Sequence, residues 1–409
     1  MNNDYKVLRE LANRYFEMVN SDTNRQNVML HKGVNDLKMI RPTVLIEEIP
    51  WHEMNIGDEL TCVCEDPYLR EVEWEFRTNL YKWKYMPADT AYPNYFKVQK
   101  VIHTTGIGLA TEHDTENENA DTKSHVFEDQ LKTEADLEKL HNHTITYDEA
   151  ETKRRYELAA NVFGDILPVK IVGEAAGYDL GCKNWDDIVF LRGLDNIFFD
   201  LVERPEFLHK TVAKLTDIFL DKVRQYEELN LIDGDAYYNH GTSALTNDLK
   251  PDHACVKAKD VWGRGIAQIF AMVSPEMHDE FDTQYMIRAM EPFGMTYYGC
   301  CEPLDKKVHI LEQIKNLRKI SITPWADINI AAEVMGSRYV VAAKPTPAAL
   351  ASATLNHDAV RAELTGIVDA CVKNNCSFEL VLKDITTVSG KPQNLFEWEK
   401  IAMEIVRNV

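Results

Sequence analysis

Short apolar segments alternate with helical patterns over most of the chain, and this alternation constrains the fold more than any other feature of the sequence. The segments that we predict as strands are the one around Val44 and those at 169–174, 234–240, 266–273, 295–300, 319–323, 339–343 and 378–382. Strands that alternate with helices are typical of a parallel sheet. Eight such strands close a (β/α)8 barrel, so we predict an α/β TIM barrel.

The segments around this pattern predict additions to the barrel. Residues 4–20 carry an amphipathic helical pattern, and we assign residues 1–40 to an N-terminal helical segment. We assign the remaining residues, 41–409, to a single barrel domain. Residues 51–160 are irregular and include acidic and aromatic stretches, so we predict that they form an insertion or flanking subdomain after the first strand.

The composition excludes several classes of partner. The formal net charge of -21 would repel nucleic acid and anionic membrane surfaces, so we expect neither as a partner. The first residues lack a basic segment followed by an apolar one, and no stretch reaches the roughly 20 apolar residues of a membrane span. We therefore expect a cytoplasmic protein whose eight scattered cysteines are thiols in a reducing compartment.

Ionisable side chains gather at the predicted strand ends, where barrels carry their reactive groups. Asp235 and Glu174 would be costly to bury without a partner, which favours a polar cavity around them. His240 is either a ligand or base, or a hydrogen-bonded structural residue. Lys383 and Asp384 are either part of a site or an ion pair at the rim. The other strand-end positions are Glu47, Glu48, Cys300, Cys301, Glu302, Trp325, Asp327 and Lys344.

The stretch from Thr296 to Pro303 joins a β-like run to two adjacent thiols, a carboxylate and a proline. Successive side chains of a strand point to opposite faces, so we expect only one of Cys300 and Cys301 to face the same cavity as Glu302. One thiolate and one carboxylate make a partial metal site, because zinc normally takes three or four protein ligands. The alternative is a buried and inert pair of cysteines.

Several motifs resemble the uroporphyrinogen decarboxylase superfamily, and within it the branch of cobalamin-dependent (corrinoid-dependent) methyltransferases. The likeness runs from about Arg41 to the C-terminus. Its most specific parts are RPTVLIEEIPWH at 41–52, FAMVSPEMH at 270–278, YGCCEPL at 298–304, ISITPWAD at 320–327 and LKDITTV at 382–388. This resemblance implies a barrel of the same type, with an insertion after its first strand.

The chain departs from the decarboxylases of this superfamily at the first strand. Those enzymes carry two arginines there that bind substrate carboxylates, whereas this chain has Glu47, Glu48 and Trp51. Acidic residues at that place would repel the carboxylates of a porphyrinogen. A decarboxylase, or a member of the family without catalytic activity, is therefore the alternative to a methyltransferase.

The chain also departs from the coenzyme M methyltransferases of the superfamily, which bind zinc through a His-x-Cys motif and a later cysteine. The match falls on Tyr298-Gly299-Cys300, where tyrosine replaces the histidine, and the later cysteine is absent near Lys344. If zinc is bound, the resemblance implies another set of ligands. We draw it from Cys300, Cys301, Glu302 and Asp327, with His240 and Glu174 as further candidates.

The resemblance implies the substrate-side protein of an anaerobic O-demethylase system. Such a protein takes a methyl group from a small methylated substrate, here an aryl methyl ether, and passes it to the Co(I) corrinoid of a partner. The chain has no D-x-H-x-x-G motif, so the corrinoid must arrive on a separate corrinoid protein. A homodimer is compatible with the sequence.

The chemistry of an ether assigns the candidate residues their roles. Methyl transfer leaves an alkoxide or phenoxide, a poor leaving group that zinc or a proton donor must stabilise. The aromatic candidates either wall the pocket or only pack at the barrel rim. The candidate catalytic residues are His240, Glu174, Asp235 and Tyr298, and the candidate substrate-binding residues are Glu47, Trp51, Tyr297, Trp325 and Lys344.

Overall fold

The computed structural model describes residues 3–111, 113–116, 124–175 and 180–409 of the 409-residue chain. Its helices are α1 (Asn3–Val19), α2 (Asp22–Asn35), α3 (Pro67–Tyr85), α4 (Glu149–Phe163), α5 (Asn184–Arg192), α6 (Leu194–Glu203), α7 (Pro205–Glu228), α8 (Pro275–His278), α9 (Gln284–Met290), α10 (Val308–Leu311), α11 (Ile328–Met335), α12 (His357–Lys373) and α13 (Pro392–Val406). None of these helices is long and apolar enough to cross a bilayer.

The strands are short, and most of them belong to one sheet. They are β1 (Thr43–Ile46), β2 (Phe96–Gln99), β3 (Val101–Thr104), β4 (His113–Glu116), β5 (Ser124–Phe127), β6 (Ile145–Asp148), β7 (Val169–Val172), β8 (Gly181–Cys182), β9 (Tyr238–Asn239), β10 (Thr242–Ser243), β11 (Trp262–Gly265), β12 (Met295–Tyr298), β13 (Leu317–Ile322), β14 (Val340–Ala343) and β15 (Ser377–Leu382).

The main sheet has seven strands in the order β1-β15-β14-β13-β12-β11-β8, and every neighbouring pair is parallel. All residues of β1, β11, β12, β14 and β15 are buried. Burial along whole strands is typical of a parallel sheet that is covered on both faces. The predicted α/β class with a large parallel sheet is confirmed, and this sheet is compatible with a barrel.

Closure of the barrel stays a prediction. In the part of the chain that the structure describes, the hydrogen-bonded order begins at β1 and ends at β8. The predicted strand 169–174 contributes β7, which pairs in parallel with β2 outside the main sheet. Glu174 then forms a single parallel bridge with Ile232. The position beside β11 is taken by β8, which the sequence did not predict.

Two further predicted strands were wrong in their bounds. The observed strand β11 ends at Gly265, just before the predicted strand 266–273 begins. Residues 268–272 of that prediction form a 3-10 helix. A Cβ added to Gly263 or Gly265 of β11 would lie 2.6 Å from Phe293 or from the sulfur of Met286. These glycines let helix α9 and its following turn pack closely on the strand, although they carry no apolar signal. Within the predicted strand 234–240, only β9 is a strand, and it pairs antiparallel with β10 in a short hairpin.

The N-terminal helices pack on the segment that follows the first strand. The predicted helix 4–20 is confirmed as α1, whose buried residues include Leu8, Leu11 and Tyr15. The Tyr15 ring lies 5.2 Å from that of Phe76 in α3, and Phe76 lies 5.3 Å from Phe163 in α4. The division into an N-terminal segment, a barrel and an insertion stays a prediction.

Candidate active site

The side chains that follow four parallel strands meet at the carboxyl edge of the sheet. Cys300 follows β12, Lys344 follows β14, Lys383 follows β15 and Glu48 follows β1. The Lys344 ammonium donates to the Cys300 carbonyl oxygen over 2.6 Å, and the Lys383 ammonium donates to Glu48 over 3.1 Å. Parallel strands bring their carboxyl ends to one edge, which is where α/β proteins place reactive groups. We take this edge as the candidate active site.

A tight hairpin turn carries His240 to this edge. Asn239 pairs with Thr242 across the hairpin, so His240 and Gly241 form the two-residue turn. Both have positive φ angles, 50° and 78°, as in a type I′ turn. The Nε2 of His240 then lies 3.2 Å from the Sγ of Cys300 and 3.3 Å from the ammonium nitrogen of Lys383. When Nε2 carries the proton, it donates to the sulfur of Cys300, and when Nε2 is unprotonated, it accepts from Lys383.

Cys300 is the thiol that faces the cavity, and its surroundings favour the thiolate. The Sγ of Cys301 lies 3.6 Å away, and either thiol can donate in this contact. The contact lowers the pKa of Cys300 and raises that of Cys301. His240 and Lys344 lower the pKa of Cys300 further, against the effect of burial. Burial lowers the pKa of His240 itself, so its neutral form is favoured. A buried thiolate beside an imidazole is a reactive or charge-stabilising group.

Glu302 holds the loop that carries Cys300. Its carboxylate is fully buried and accepts from the backbone amide of Cys300 over 2.9 Å and from that of Ala267 over 3.4 Å. Gly299 has a φ of 103°, and a Cβ there would lie 2.7 Å from Leu304. The chain therefore turns sharply after β12, and the carboxylate fixes the orientation of the turn. Burial raises the pKa of Glu302.

Cys300 and His240 line a cavity of about 550 Å³. This volume suits a small organic molecule. Asp186 near the start of α5 lines the same cavity. Burial, followed by the charges of Asp187, Glu302 and Cys300, raises the pKa of Asp186 to about 6. The cavity thus combines a thiol whose pKa is lowered with a carboxyl group whose pKa is raised.

The structure brings together some of the predicted site residues and separates others. His240, Cys300, Cys301, Glu302 and Lys344 meet at the sheet edge through the contacts described above. Glu47 also lies at this edge, because a Cβ added to Gly241 would lie 3.7 Å from it, and its carboxylate is bound by Lys82 at 2.9 Å. Asp235 lies 3.5 Å from the hydroxyl of Tyr95, which donates to it.

The predicted aromatic residues have packing or network roles instead of lining this cavity. The Tyr298 hydroxyl is buried, donates to Asp282 over 2.6 Å and lies 2.7 Å from Nε2 of His278. Tyr297 is fully buried in an apolar cluster. Trp51 packs edge-on against Trp74 and Tyr81. Trp325 is 78% exposed.

The predicted zinc ligands do not form one coordination set. Asp327 is exposed and caps helix α11, where it accepts from the amide of Asn329. The oxygens of Glu302 are used by backbone amides, as described above. Within the described ranges, no group of three or more His, Cys, Asp and Glu side chains is arranged to hold a metal ion. These residues therefore do not fit zinc, and zinc binding stays a prediction from the resemblance.

Asp186 and Arg264 are cavity residues that the sequence did not single out. Asp186 lies just after β8, a two-residue strand that carries no alternating pattern. Arg264 lies within β11, between Gly263 and Gly265. A charged residue between glycines resembles a loop, so the misplaced strand hid it. The signal that could have found both residues is an ionisable group close to a short buried segment.

Comparisons with known proteins do not place the chain in a family. No family model matches it, and no curated protein does. Among solved structures, it is similar to a methyltransferase from Methanosarcina mazei, with 9% sequence identity and a TM-score of 0.46 over 92% of this chain and 97% of that one. A likeness at this level does not bear on the activity of this chain.

Proposed function

We propose that the protein is a methyltransferase that moves a methyl group from a small methyl ether to the Co(I) corrinoid of a separate partner protein. The observation that carries this function is that Cys300, whose pKa is lowered, and Asp186, whose pKa is raised to about 6, line one cavity. The motifs at 41–52 and 298–304, which resemble the corrinoid-dependent methyltransferases, support the same function.

Asp186 is the proton donor to the leaving oxygen. A methyl ether releases an alkoxide or phenoxide, and a positioned acid stabilises that oxygen as negative charge develops on it. An ordinary aspartate is ionised at neutral pH, but the pKa of Asp186 is raised to about 6. A usable fraction of the residue therefore carries a proton near neutral pH.

Cys300 acts on Asp186 through its charge, as a positioning residue. A thiolate in the cavity opposes ionisation of a nearby carboxyl group, and Cys300 is one cause of the raised pKa of Asp186. His240 and Cys301 hold the thiolate through their contacts of 3.2 Å and 3.6 Å to its sulfur. The carboxylate of Glu302 fixes the turn that presents it.

The reaction balances without a further reagent. The bond between the methyl carbon and the ether oxygen breaks, the proton of Asp186 passes to that oxygen, and the methyl group passes to the partner. The reduced corrinoid supplies the electron pair that forms the new bond to carbon. No step is assigned to zinc, because the described residues do not form a ligand set for it.

An anaerobic assay with reduced cobalamin tests this function. Purified protein would be mixed with a panel of aryl and alkyl methyl ethers, and methylation of the corrinoid would be followed by its absorbance. We expect methylation with at least one ether, and a rate lower by about 10²-fold or more in Asp186→Asn. Asp195→Asn, at an exposed position of α6, is the matched control. Absence of methylation with every ether, with cobalamin and with corrinoid proteins, would refute the function.

A further inference from the structure

Arg264 is a buried cation that has no side-chain partner among the residues that the structure describes. Its side chain belongs to the all-buried strand β11 and is 7% exposed. It makes no hydrogen bond or ion pair with any residue that the structure describes, and its Nε is buried without a partner. An unpaired buried charge costs several kcal/mol, so proteins rarely keep one without a use. The guanidinium group lines the cavity that also contains His240 and Cys300.

The other charged groups of the cavity leave Arg264 available for a ligand. The ammonium of Lys183 lies 3.3 Å from a carboxylate oxygen of Asp187. Asp186 lines the same cavity, but among the described contacts it forms no ion pair with Arg264. The Cys300 thiolate makes no hydrogen bond to Arg264 among the described contacts, and it is bound instead by His240 and Cys301.

Part of the cavity wall is apolar. Helices α5 and α7 contribute its apolar side chains, which are Phe190, Leu191, Leu215, Ile218 and Phe219. A wall of this kind removes a flat hydrocarbon body from water and offers it no hydrogen bonds. The cavity therefore suits a small molecule that combines an apolar ring with one anionic end.

We propose that Arg264 binds the carboxylate of the substrate, and that the substrate class is a methoxylated aromatic carboxylate. The methoxy group rests on the proposed methyltransferase function, whereas the carboxylate rests on Arg264 and the cavity alone. A guanidinium group donates two parallel hydrogen bonds to a carboxylate, which gives both affinity and orientation. The bound anion supplies a partner that no described residue provides for Arg264.

Binding of the three methoxybenzoate isomers tests this subsite without any corrinoid. Dissociation constants would be measured by calorimetry for each isomer and for its uncharged methoxybenzamide counterpart. In Arg264→Gln we expect carboxylate binding to weaken about tenfold or more, with amide binding unchanged. Retained amide binding also shows that the variant has an intact cavity. Arg264→Lys keeps the charge but loses the planar fork, so we expect an intermediate loss, and this variant carries the test if Arg264→Gln does not fold.

Arg361→Gln is the matched control, because Arg361 is an exposed residue of α12 that pairs with Glu404 at 2.8 Å. Equal carboxylate affinity in wild type and in both Arg264 variants would overturn the subsite. So would a wild type that binds no isomer, or one that prefers the amides. Arg264-dependent binding without methyl transfer to reduced cobalamin would support the subsite and refute the methyltransferase function. Methyl transfer from neutral ethers but from none of the methoxybenzoates would support the methyltransferase function and refute the carboxylate subsite.

Discussion

The Sγ of Cys300 lies 3.2 Å from the Nε2 of His240, although 60 residues separate them in the chain. This contact joins the loop after β12 to the hairpin turn of β9 and β10. It places a polarised thiol at the carboxyl edge of the sheet, where Lys344 and Lys383 also point. Cys300 in turn contributes to the raised pKa of Asp186, after burial and the charges of Asp187 and Glu302.

Cys300 should react with alkylating agents at low pH. Its pKa is lowered by Cys301, His240 and Lys344, so its thiolate persists where ordinary thiols are protonated. We expect iodoacetamide at pH 6 to modify Cys300 before Cys255, which is exposed. Mass spectrometry of the labelled peptides would measure the order. Preferential labelling of Cys255 would show that the thiolate is absent or closed to the reagent.

Methyl transfer should decline as pH rises through about 6. The pKa of Asp186 is raised to about 6, so the acid is protonated below that pH and ionised above it. In Cys300→Ser the thiolate charge is removed, the pKa of Asp186 falls, and the declining limb moves to lower pH. Rates between pH 5 and 8 would show the shift. Identical profiles for wild type and Cys300→Ser would rule out the charge effect of Cys300.

Asp186→Asn should stabilise the fold at pH 7 to 8. A carboxyl group with a raised folded-state pKa binds protons more tightly in the folded state, so stability falls as pH rises from its unfolded value through about 6. Replacing it by a neutral amide removes that loss, and we expect a gain of about 1–3 kcal/mol above pH 7. Urea unfolding at pH 5 and pH 8 would measure the difference. An equal effect at both pH values would contradict the raised pKa.

Gly299→Ala should destabilise the turn that presents Cys300. The residue has a φ of 103°, and the new Cβ would lie 2.7 Å from Leu304 and 3.0 Å from Ser321. We expect a loss of about 2–4 kcal/mol from backbone strain and overpacking together. Gly57→Ala is the matched control, because Gly57 also has positive φ but nothing within 4 Å of its would-be Cβ. Equal losses in both variants would show that the steric contact does not matter.

The sequence predicted the second half of the sheet well because its strands are unbroken apolar runs. The segments around β12, β13, β14 and β15 were placed to within a few residues, since their side chains are buried on both faces. The strand β11 was misplaced because its glycines serve close packing, which leaves no apolar pattern. Contacts of this kind depend on the partner helix and cannot be read from the strand itself.

The candidate site was predicted in part for similar reasons. Cys300, Cys301, Glu302 and Lys344 follow recognisable strands, so their convergence could be anticipated, whereas the hairpin turn that carries His240 was predicted as part of a strand. The sequence could not show which cysteine faces the cavity, because the turn at Gly299 decides it. Arg264 was missed because its importance comes from burial without a partner among the described residues, and Asp186 because its importance comes from a pKa that burial raises. Only the folded chain defines either property.

The most direct test of the methyltransferase function compares aryl methyl ethers whose phenol leaving groups differ in pKa. Rates of methyl transfer to the reduced corrinoid would be measured for wild type and Asp186→Asn. If Asp186 protonates the leaving oxygen, wild-type rates depend weakly on the leaving group, and the variant loses most with the most basic phenoxides. Equal dependence in the two proteins would contradict the role of Asp186, and no methyl transfer from any ether would contradict the function itself.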